Sequence, residues 1–380
     1  MRVWRVAVLT LATMACGGSG DASAEGVIDH VGDASASLAL QTQSLQPERP
    51  LCARGAQACE VPTATAGGMV APNGDALVRV VGGRSSQVIL VRSGSDSAVA
   101  FGREGAGPGE YRAPVEIDLD SAGNVHVFDL FTRRLLRFAP DGSPAATGVA
   151  QLPPAPHPLM RFVGGELWML SAENPTAKGD TLPSFVYALV GDAAAARRHA
   201  VDLQLASYGT AEFRPMGATF SAVPQLAFGR DGRLVYAEAT TAELAMYDAT
   251  GRLAARGGFR TEGRAVTEAD VEAAIARQMR ALPPGQMRDQ IIQRMRESAP
   301  RHPGVTQLAV MADGAVWARE APEAGTDSVA WLVYTAELAP QARVRMGVDD
   351  RPVGVHGNLV LLARSGDDEA STGYWWMRRR

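Results

Sequence analysis

The chain has 380 residues and a formal net charge of −4, from 37 Lys and Arg against 41 Asp and Glu. A mildly acidic chain lacks the clustered cations that bind phosphate backbones, which argues against nucleic acid as a partner. The length suits one large repeat domain better than several small ones.

Residues 1–15 have the pattern of a secretory signal peptide. Arg2 and Arg5 precede an apolar run at residues 6–11, and the run leads to Ala15. The run is too short to span a bilayer. We therefore expect residues 1–15 to be removed and the rest of the chain to be exported.

Two cleavage sites compete after this segment. Cys16 precedes a GGSG run and resembles a lipoprotein junction, at which the signal is removed and the cysteine is acylated. Residues 16–26 would then form a flexible tether, and Gly17 after the cysteine favours the outer membrane of a Gram-negative cell. Cleavage after Ala24 would instead release a soluble periplasmic or secreted protein. A lipid anchor is the only membrane contact that we expect.

Cys52 and Cys59 lie in the short segment LCARGAQACE. Export to an oxidising compartment makes a disulfide between them the natural interpretation. Closing so short a loop stabilises a fold by about 2–3 kcal/mol on the chain-entropy model. A metal site would need further ligands nearby in the sequence, and there are none.

A unit of strand, Asp/Gly turn, strand, loop, strand and second turn recurs along the chain. Its clearest copies are residues 115–142, 225–251 and 307–338. Four short strands in about 40–50 residues are typical of a β-propeller blade. Turns of the first kind mark six such units, at Gly74, Gly123, Gly165, Gly232, Gly314 and Gly357. The sequence therefore predicts an all-β, six-bladed β-propeller over residues 27–380.

The last unit supplies only three strands, at residues 352–355, 359–363 and 373–377. A propeller can close by building one sheet from both ends of the chain, which leaves no exposed sheet edge. We therefore expect the fourth strand of the last blade to come from residues 26–31 or 37–42.

Residues 267–299 predict two amphipathic helices inserted between blades four and five. Thr267 is a good N-cap, acidic residues follow it, and Pro283 and Pro284 separate the two apolar stripes. One interpretation is a helical pair that covers apolar propeller surface. The other is a lid or a partner-binding element.

The most distinctive loop is residues 101–114, FGREGAGPGEYRAP. Its glycines and Pro108 permit a compact turn that few other residues adopt. The pattern G-x-x-G-x-G-P-G-E-[FY] at residues 102–111 resembles the inter-blade motif of six-bladed, NHL-like β-propellers of bacterial envelope proteins, many of them lipoproteins. The resemblance continues through Asp129, Phe138 and Gly142 of the next blade. It implies a fold and an envelope location, and no particular reaction.

In a propeller, the inter-blade connections and the loops between second and third strands emerge on one face. Nearly every long segment of this chain falls there, and we call it the long-loop face; function tends to lie on such loops. The candidate binding residues on it are Arg103, Glu104, Glu110, Arg112 and Arg133. They would hold a protein partner or a small polar ligand. The alternative is a structural corner in which Glu110 or Arg112 bonds backbone groups.

An enzyme is the second hypothesis. The predicted inner strands offer Glu116, Asp118 and Arg161, which are too few carboxylates for the metal cage of a propeller hydrolase. Neither a metal nor another cofactor is predicted. A lactonase-like hydrolase or a peptide-lyase-like enzyme would instead use His157, Glu116 and His302 at the channel mouth. The preferred hypothesis is a monomeric, lipid-anchored propeller that acts as a binding or scaffolding module.

Overall fold

The computed structural model describes residues 26–52, 67–82, 85–95, 98–150, 152, 156–173, 184–190, 198–204, 220, 225–238, 241–261, 263–278, 284–296, 301–364 and 373–380. Nearly all of the regular secondary structure in these residues is β-strand. Cys59 and residues 1–25, which carry the signal, lipidation and tether predictions, lie outside them.

Strands follow one another in antiparallel groups, which we call sheets 1 to 6; sheets 1 to 5 have four consecutive strands each, and sheet 6 has three. Sheet 1 has β4 Gly68–Val70, β5 Ala76–Gly82, β6 Ser85–Val91 and β7 Ala98–Phe101; sheet 2, after the short β8 Arg103–Glu104 and β9 Glu110–Tyr111, has β10 Pro114–Leu119, β11 Val125–Asp129, β12 Arg134–Phe138 and β13 Pro144–Val149. Sheet 3 has β14 Pro156–Val163, β15 Glu166–Glu173, β16 Ser184–Val190 and β17 Arg198–Gln204; sheet 4 has β18 Gln225–Phe228, β19 Leu234–Ala237, β20 Ala242–Tyr247 and β21 Leu253–Arg260. Sheet 5 has β22 Gln307–Val310, β23 Val316–Arg319, β24 Ser328–Tyr334 and β25 Pro340–Gly347; sheet 6 has β26 Arg351–His356, β27 Leu359–Arg364 and β28 Gly373–Arg379.

Each predicted Asp/Gly turn joins the first and second strands of a sheet. Gly123, for example, has a φ of 83° between β10 and β11, and Gly314 a φ of 86° between β22 and β23. Glycine adopts this left-handed conformation without a Cβ clash, which is why the turns stand out in the sequence.

The sheets are arranged side by side through their first strands. Contacts run from β26 to β4, from β4 to β10, from β10 to β14, from β14 to β18 and from β18 to β22. Apolar clusters fill the spaces between consecutive sheets, and one of them, with Val78 of sheet 1 and Trp376 of sheet 6, joins the last sheet to the first. Second strands such as β11 and β23 are buried along their whole length because neighbouring sheets cover both of their faces. The chain is a β-propeller, and the first strands surround its central channel.

The N-terminal segment closes the fold differently from the prediction. The strand beside β28 is β3, Thr42–Pro50, and Trp375 pairs with Pro50 while Arg379 pairs with Leu45. The predicted ranges 26–31 and 37–42 are therefore wrong for this role. The β3 sequence is polar and contains two prolines, and proline is tolerated at a strand end or bulge; Pro47 lies at the register shift beside Met377.

Before β3, the chain follows the outer edge of sheet 4. The strands β1 Ile28–Asp29 and β2 Gly32–Asp33 run parallel to β21, and α1 Ala34–Leu38 follows them. The first residues of β3 then pair in parallel with β25, at Thr42–Ser44, before β3 continues along β28. One strand thus joins sheets 5 and 6.

Two helices, α2 Glu268–Gln278 and α3 Gln286–Arg296, lie between β21 and β22 in the chain. Their apolar cluster contains Val271, Ala274, Ile291 and Met295, together with Phe220. Met279 and Leu282, which the amphipathic pattern also includes, lie outside the described residues.

Candidate functional site

The loop at residues 101–114 is held together by its own residues. The Glu110 carboxylate accepts hydrogen bonds from the Gly107 amide at 2.7 Å and from Arg103 Nε at 2.8 Å. These two bonds hold the pKa of Glu110 below its usual value. Arg134 donates to the carbonyl oxygens of Ala106 and Gly107. These contacts agree with the predicted alternative, in which the loop is a structural corner and Glu110 bonds backbone groups.

Tyr111 explains the glycine at position 102 of the loop. The fully buried Tyr111 hydroxyl accepts a hydrogen bond from the Val88 amide at 2.9 Å and donates one to the Phe101 carbonyl at 2.8 Å. A Cβ at Gly102, whose φ is +72°, would lie 2.6 Å from the Tyr111 ring. The motif therefore packs a tyrosine between sheets 1 and 2.

Asp129 shapes the neighbouring loop between β11 and β12. Its buried carboxylate accepts hydrogen bonds from the amides of Arg112 and Ala113 and from the Thr132 hydroxyl. The loop then presents Phe131, 69% exposed, and the Arg112 guanidinium lies 5.5 Å from the centre of the Phe131 ring. This distance suits a cation–π contact.

The five predicted binding residues differ in their contacts. Arg103 pairs with Glu110, and Arg112 lies over Phe131. Glu104 and Arg133 are exposed, and neither side chain has a polar partner within the described residues. Arg133 has a φ of 52°, which few residues with a side chain adopt.

A second set of charged residues lies on or next to the strands that surround the central channel, and we call it the channel cluster: Arg79, Glu116, Asp118, Arg161 and Arg230. Glu116 Oε1 lies 3.3 Å from Arg161 Nη1, so β10 and β14 are joined by an ion pair. Arg79 Nη1 donates to the Pro114 carbonyl at 2.6 Å.

Arg230 crosses one end of the channel. It follows β18 of sheet 4, yet its Nη2 donates to the Leu119 carbonyl of sheet 2 at 2.6 Å and to Asp118 Oδ2 at 3.0 Å. The first strand of sheet 3 lies between these two sheets. Because Leu119 and Arg230 both adjoin Asp/Gly turns, the crossing is at the short-turn end.

Glu116 has the most altered carboxyl group of this cluster. Burial raises its pKa to about 7; Arg161 opposes this effect, while the nearby Asp118 adds to it. The side chain keeps 15% of its surface exposed. Arg161 Nε is buried and has no hydrogen-bond partner in the part of the chain that the structure describes.

Sequence reasoning found three members of the channel cluster and missed two. Arg79 is a single charged residue within the apolar strand ALVRVVG, and this pattern could have identified it as a candidate. Arg230 precedes an Asp-Gly turn and looks like an ordinary solvated turn residue. Nothing in its local sequence indicates a partner more than a hundred residues away.

His302 belongs to the base of the helical pair. Its Nε2 lies 3.4 Å from Asp270 Oδ2, and the Phe220 ring packs edge-on against it. Burial and the adjacent Arg264 lower the pKa of His302. The contacts of His302 are thus separate from those of Glu116. The His157 side chain, its predicted partner, lies outside the described ones.

Metal-ligating groups, apolar helices and cysteines add little to these candidate sites. Among the described residues, no group of three or more His, Cys, Asp or Glu side chains is placed to hold a metal. No helix in that part of the chain is long and apolar enough to cross a membrane. Cys52 is disulfide-bonded, and its predicted partner Cys59 lies outside the described residues.

The chain resembles known proteins in fold only. No protein-family model matches it, and no curated protein sequence does so. A Bacteroides fragilis protein predicted to be exported superposes with a TM-score of 0.50 at 12% identity, covering 93% of this chain and 99% of that one. A member of the DUF4221 family from Bacteroides vulgatus has a TM-score of 0.50 at 9% identity, with 89% and 98% covered. A catalytically inactive virginiamycin B lyase from Staphylococcus aureus with quinupristin reaches only 0.39 at 12% identity, with 88% and 99% covered, which is too low to inform function.

Proposed function

We propose that this protein is a six-bladed, NHL-like β-propeller of the bacterial cell envelope that binds a polar ligand in its central channel. Sheets 1 to 6 are its blades. The apolar cluster between sheets 6 and 1 supports a closed ring, as does the sharing of β3 between sheets 5 and 6. The helices α2 and α3 form an insertion between blades four and five.

The proposed location rests on the N-terminal sequence. Acylation of Cys16 would anchor the chain to the outer membrane, and cleavage after Ala24 would leave it soluble. Cys52 and Cys59 would form the disulfide expected in an oxidising compartment. Replacement of Cys16 by Ala should abolish palmitate labelling in cells, and labelling that persists would contradict the anchor.

One observation supports channel binding above all. Charged side chains from sheets 1, 2, 3 and 4 converge in the channel, while Asp118 and Arg230 cross its short-turn end. A ligand would therefore enter from the long-loop face. The exposed Arg103, Glu104, Arg112 and Arg133, with Glu110 as their support, would form an outer contact surface for a protein partner.

The binding proposal is tested with native mass spectrometry. Purified protein is dialysed, mixed with a small-molecule extract of a Gram-negative envelope, and examined for added mass. Wild type and Arg137→Gln, an exposed arginine on β12, should both gain a ligand that Arg161→Gln does not. The absence of added mass, or its retention in Arg161→Gln, would contradict channel binding.

A hydrolase or lyase is the second candidate, because the pKa of Glu116 near 7 suits a general acid or base at neutral pH. Turnover of a lactone or cyclic depsipeptide panel by wild type, lost in Glu116→Gln, would favour catalysis. Ligand binding without turnover would favour the binding module.

A further inference from the structure

We propose that the channel cluster binds the carboxylate group of a small organic acid at Arg161, and that Glu116 takes up a proton when it does so. This inference rests on the proposed function, since it names the ligand class and the control of the same channel site. The observations that carry it are the ion pair between Glu116 and Arg161 and the charges that surround that pair.

Arg161 is the residue best placed to receive an anion. Its Nη1 contacts Glu116 at 3.3 Å, longer than the roughly 2.7–2.9 Å of a strong charged hydrogen bond. Its buried Nε has no partner among the described residues. The planar guanidinium therefore retains donors that match the two oxygens of a carboxylate.

The total charge also favours an anion. Among the described residues, the channel cluster has three arginines and two carboxylates, so its formal charge is +1 when both carboxylates are ionised. Asp118 is already paired with Arg230, with Nε and Oδ1 2.8 Å apart. Among the described residues, the remaining ion pair of the cluster is Glu116 with Arg161, on the long-loop side of Asp118 and Arg230.

The proton follows from competition for Arg161. A ligand carboxylate that pairs with Arg161 must share it with Glu116, and two carboxylates at one arginine repel each other strongly in a mostly buried site. The groups that face Glu116 are Asp118 on its own strand, Arg161 on β14 and Arg79 on β5. Asp118 opposes ionisation, and Arg79 alone cannot replace the lost partner. Protonated Glu116 instead donates a hydrogen bond to the ligand or to a channel group.

Isothermal titration calorimetry with succinate tests the proposal on the intact mature protein. Above pH 7 the affinity should fall by up to about tenfold per pH unit, because each bound ligand then requires one proton. Repeating the titration at pH 8 in buffers of different ionisation enthalpy should show uptake of close to one proton per site. This second measurement uses wild type alone and does not depend on how any variant folds.

Variants separate the parts of the proposal. In Glu116→Gln, succinate binding should lose its pH dependence, whereas Arg161→Gln should lose binding and Arg137→Gln should behave as wild type. Binding of succinate without proton uptake would overturn the coupling. Tighter binding of inorganic phosphate than of succinate would overturn the ligand class. If succinate fails to bind while the envelope extract still adds mass to wild type and not to Arg161→Gln, this inference is wrong and the proposed binding function stands. If neither succinate nor the extract binds, both the inference and the proposed function are wrong.

Discussion

Several carboxylates of this protein serve the backbone. Glu110 accepts from the Gly107 amide, and Asp129 accepts from the amides of Arg112 and Ala113. Asp75 accepts from the Ser93 amide in the same way. Because loops cannot pair their amides in a sheet, side-chain acceptors take that role. A charged residue in a glycine-rich loop is therefore ambiguous in sequence, and its hydrogen bonds decide its role.

Tyr111→Phe tests the structural corner. We expect a loss of about 1–3 kcal/mol in the free energy of unfolding, since the buried Val88 amide would lose its acceptor. Tyr334→Phe is the matched control, because Tyr334 is also fully buried but its hydroxyl has no hydrogen-bond partner among the described residues. It should be neutral or stabilising. Urea unfolding measures both, and equal losses would contradict the assigned role of the Tyr111 hydroxyl.

Glu116 predicts a pH dependence of stability. Its folded pKa is raised from 4.5 to about 7, so the folded state binds the proton more tightly than the unfolded state. The resulting stability is fully present below pH 4.5 and is lost as the pH rises through 7. Glu116→Gln, which is neutral throughout, should gain about 2.5 kcal/mol relative to wild type between pH 5 and pH 8.5. Denaturant titrations at both pH values measure this, and a difference that does not change with pH would refute it.

At the scale of elements, the helical pair forms a separate unit on the propeller. Its apolar cluster includes two described residues from outside the helices, Phe220 and Val266. Its base is fixed by Asp270, which accepts two 2.7 Å hydrogen bonds from Arg264 and one from the Thr267 amide. Arg264 also donates to the Pro322 carbonyl in the loop between β23 and β24 of sheet 5. The contacts favour an appended element over a cover for apolar propeller surface.

Deletion of the helices tests this interpretation. Ala265 and Arg301 form a β-bridge, so a short Gly-Ser linker can replace residues 266–300. The propeller should keep its far-UV circular dichroism spectrum and unfold within a few degrees of wild type, because its own apolar clusters remain intact. Asp270→Ala, which keeps the helices but breaks their base, provides the comparison. Aggregation of the deletion variant would show that the helices cover apolar surface.

At the scale of the whole molecule, β3 completes the fold. It pairs with β25 and β28, and the residues after it, Leu51 and Cys52, enter the apolar cluster between sheets 6 and 1. Without β3, the edges of two sheets would be exposed, and exposed edges promote aggregation.

Two truncations distinguish the role of β3 in closing the fold from the role of residues 26–40 in covering the outer edge of sheet 4. A mature chain that lacks residues 26–50 should aggregate or elute in a broad peak on size exclusion, with a large loss of thermal stability. A chain that lacks only residues 26–40 should stay monomeric, because β1, β2 and α1 lie on the outer edge of sheet 4. Similar behaviour of the two chains would contradict the role given to β3.

The propeller architecture could be predicted from the sequence because its signals are local. Each turn needs a glycine such as Gly123 or Gly314 at positive φ, and each buried strand needs an apolar run. Thr267 as the cap of α2 is equally local, and its hydroxyl accepts from the Asp270 amide at 3.3 Å. These features depend on residues within a few positions of one another.

The closing strand and the channel cluster were decided only by the tertiary structure. The polar, proline-containing β3 becomes a strand because β25 and β28 offer it open edges. Arg230 meets Asp118 because the ring brings together residues 112 apart in the chain. Local sequence cannot contain such partners, since a pairing across the molecule depends on where every intervening strand is packed.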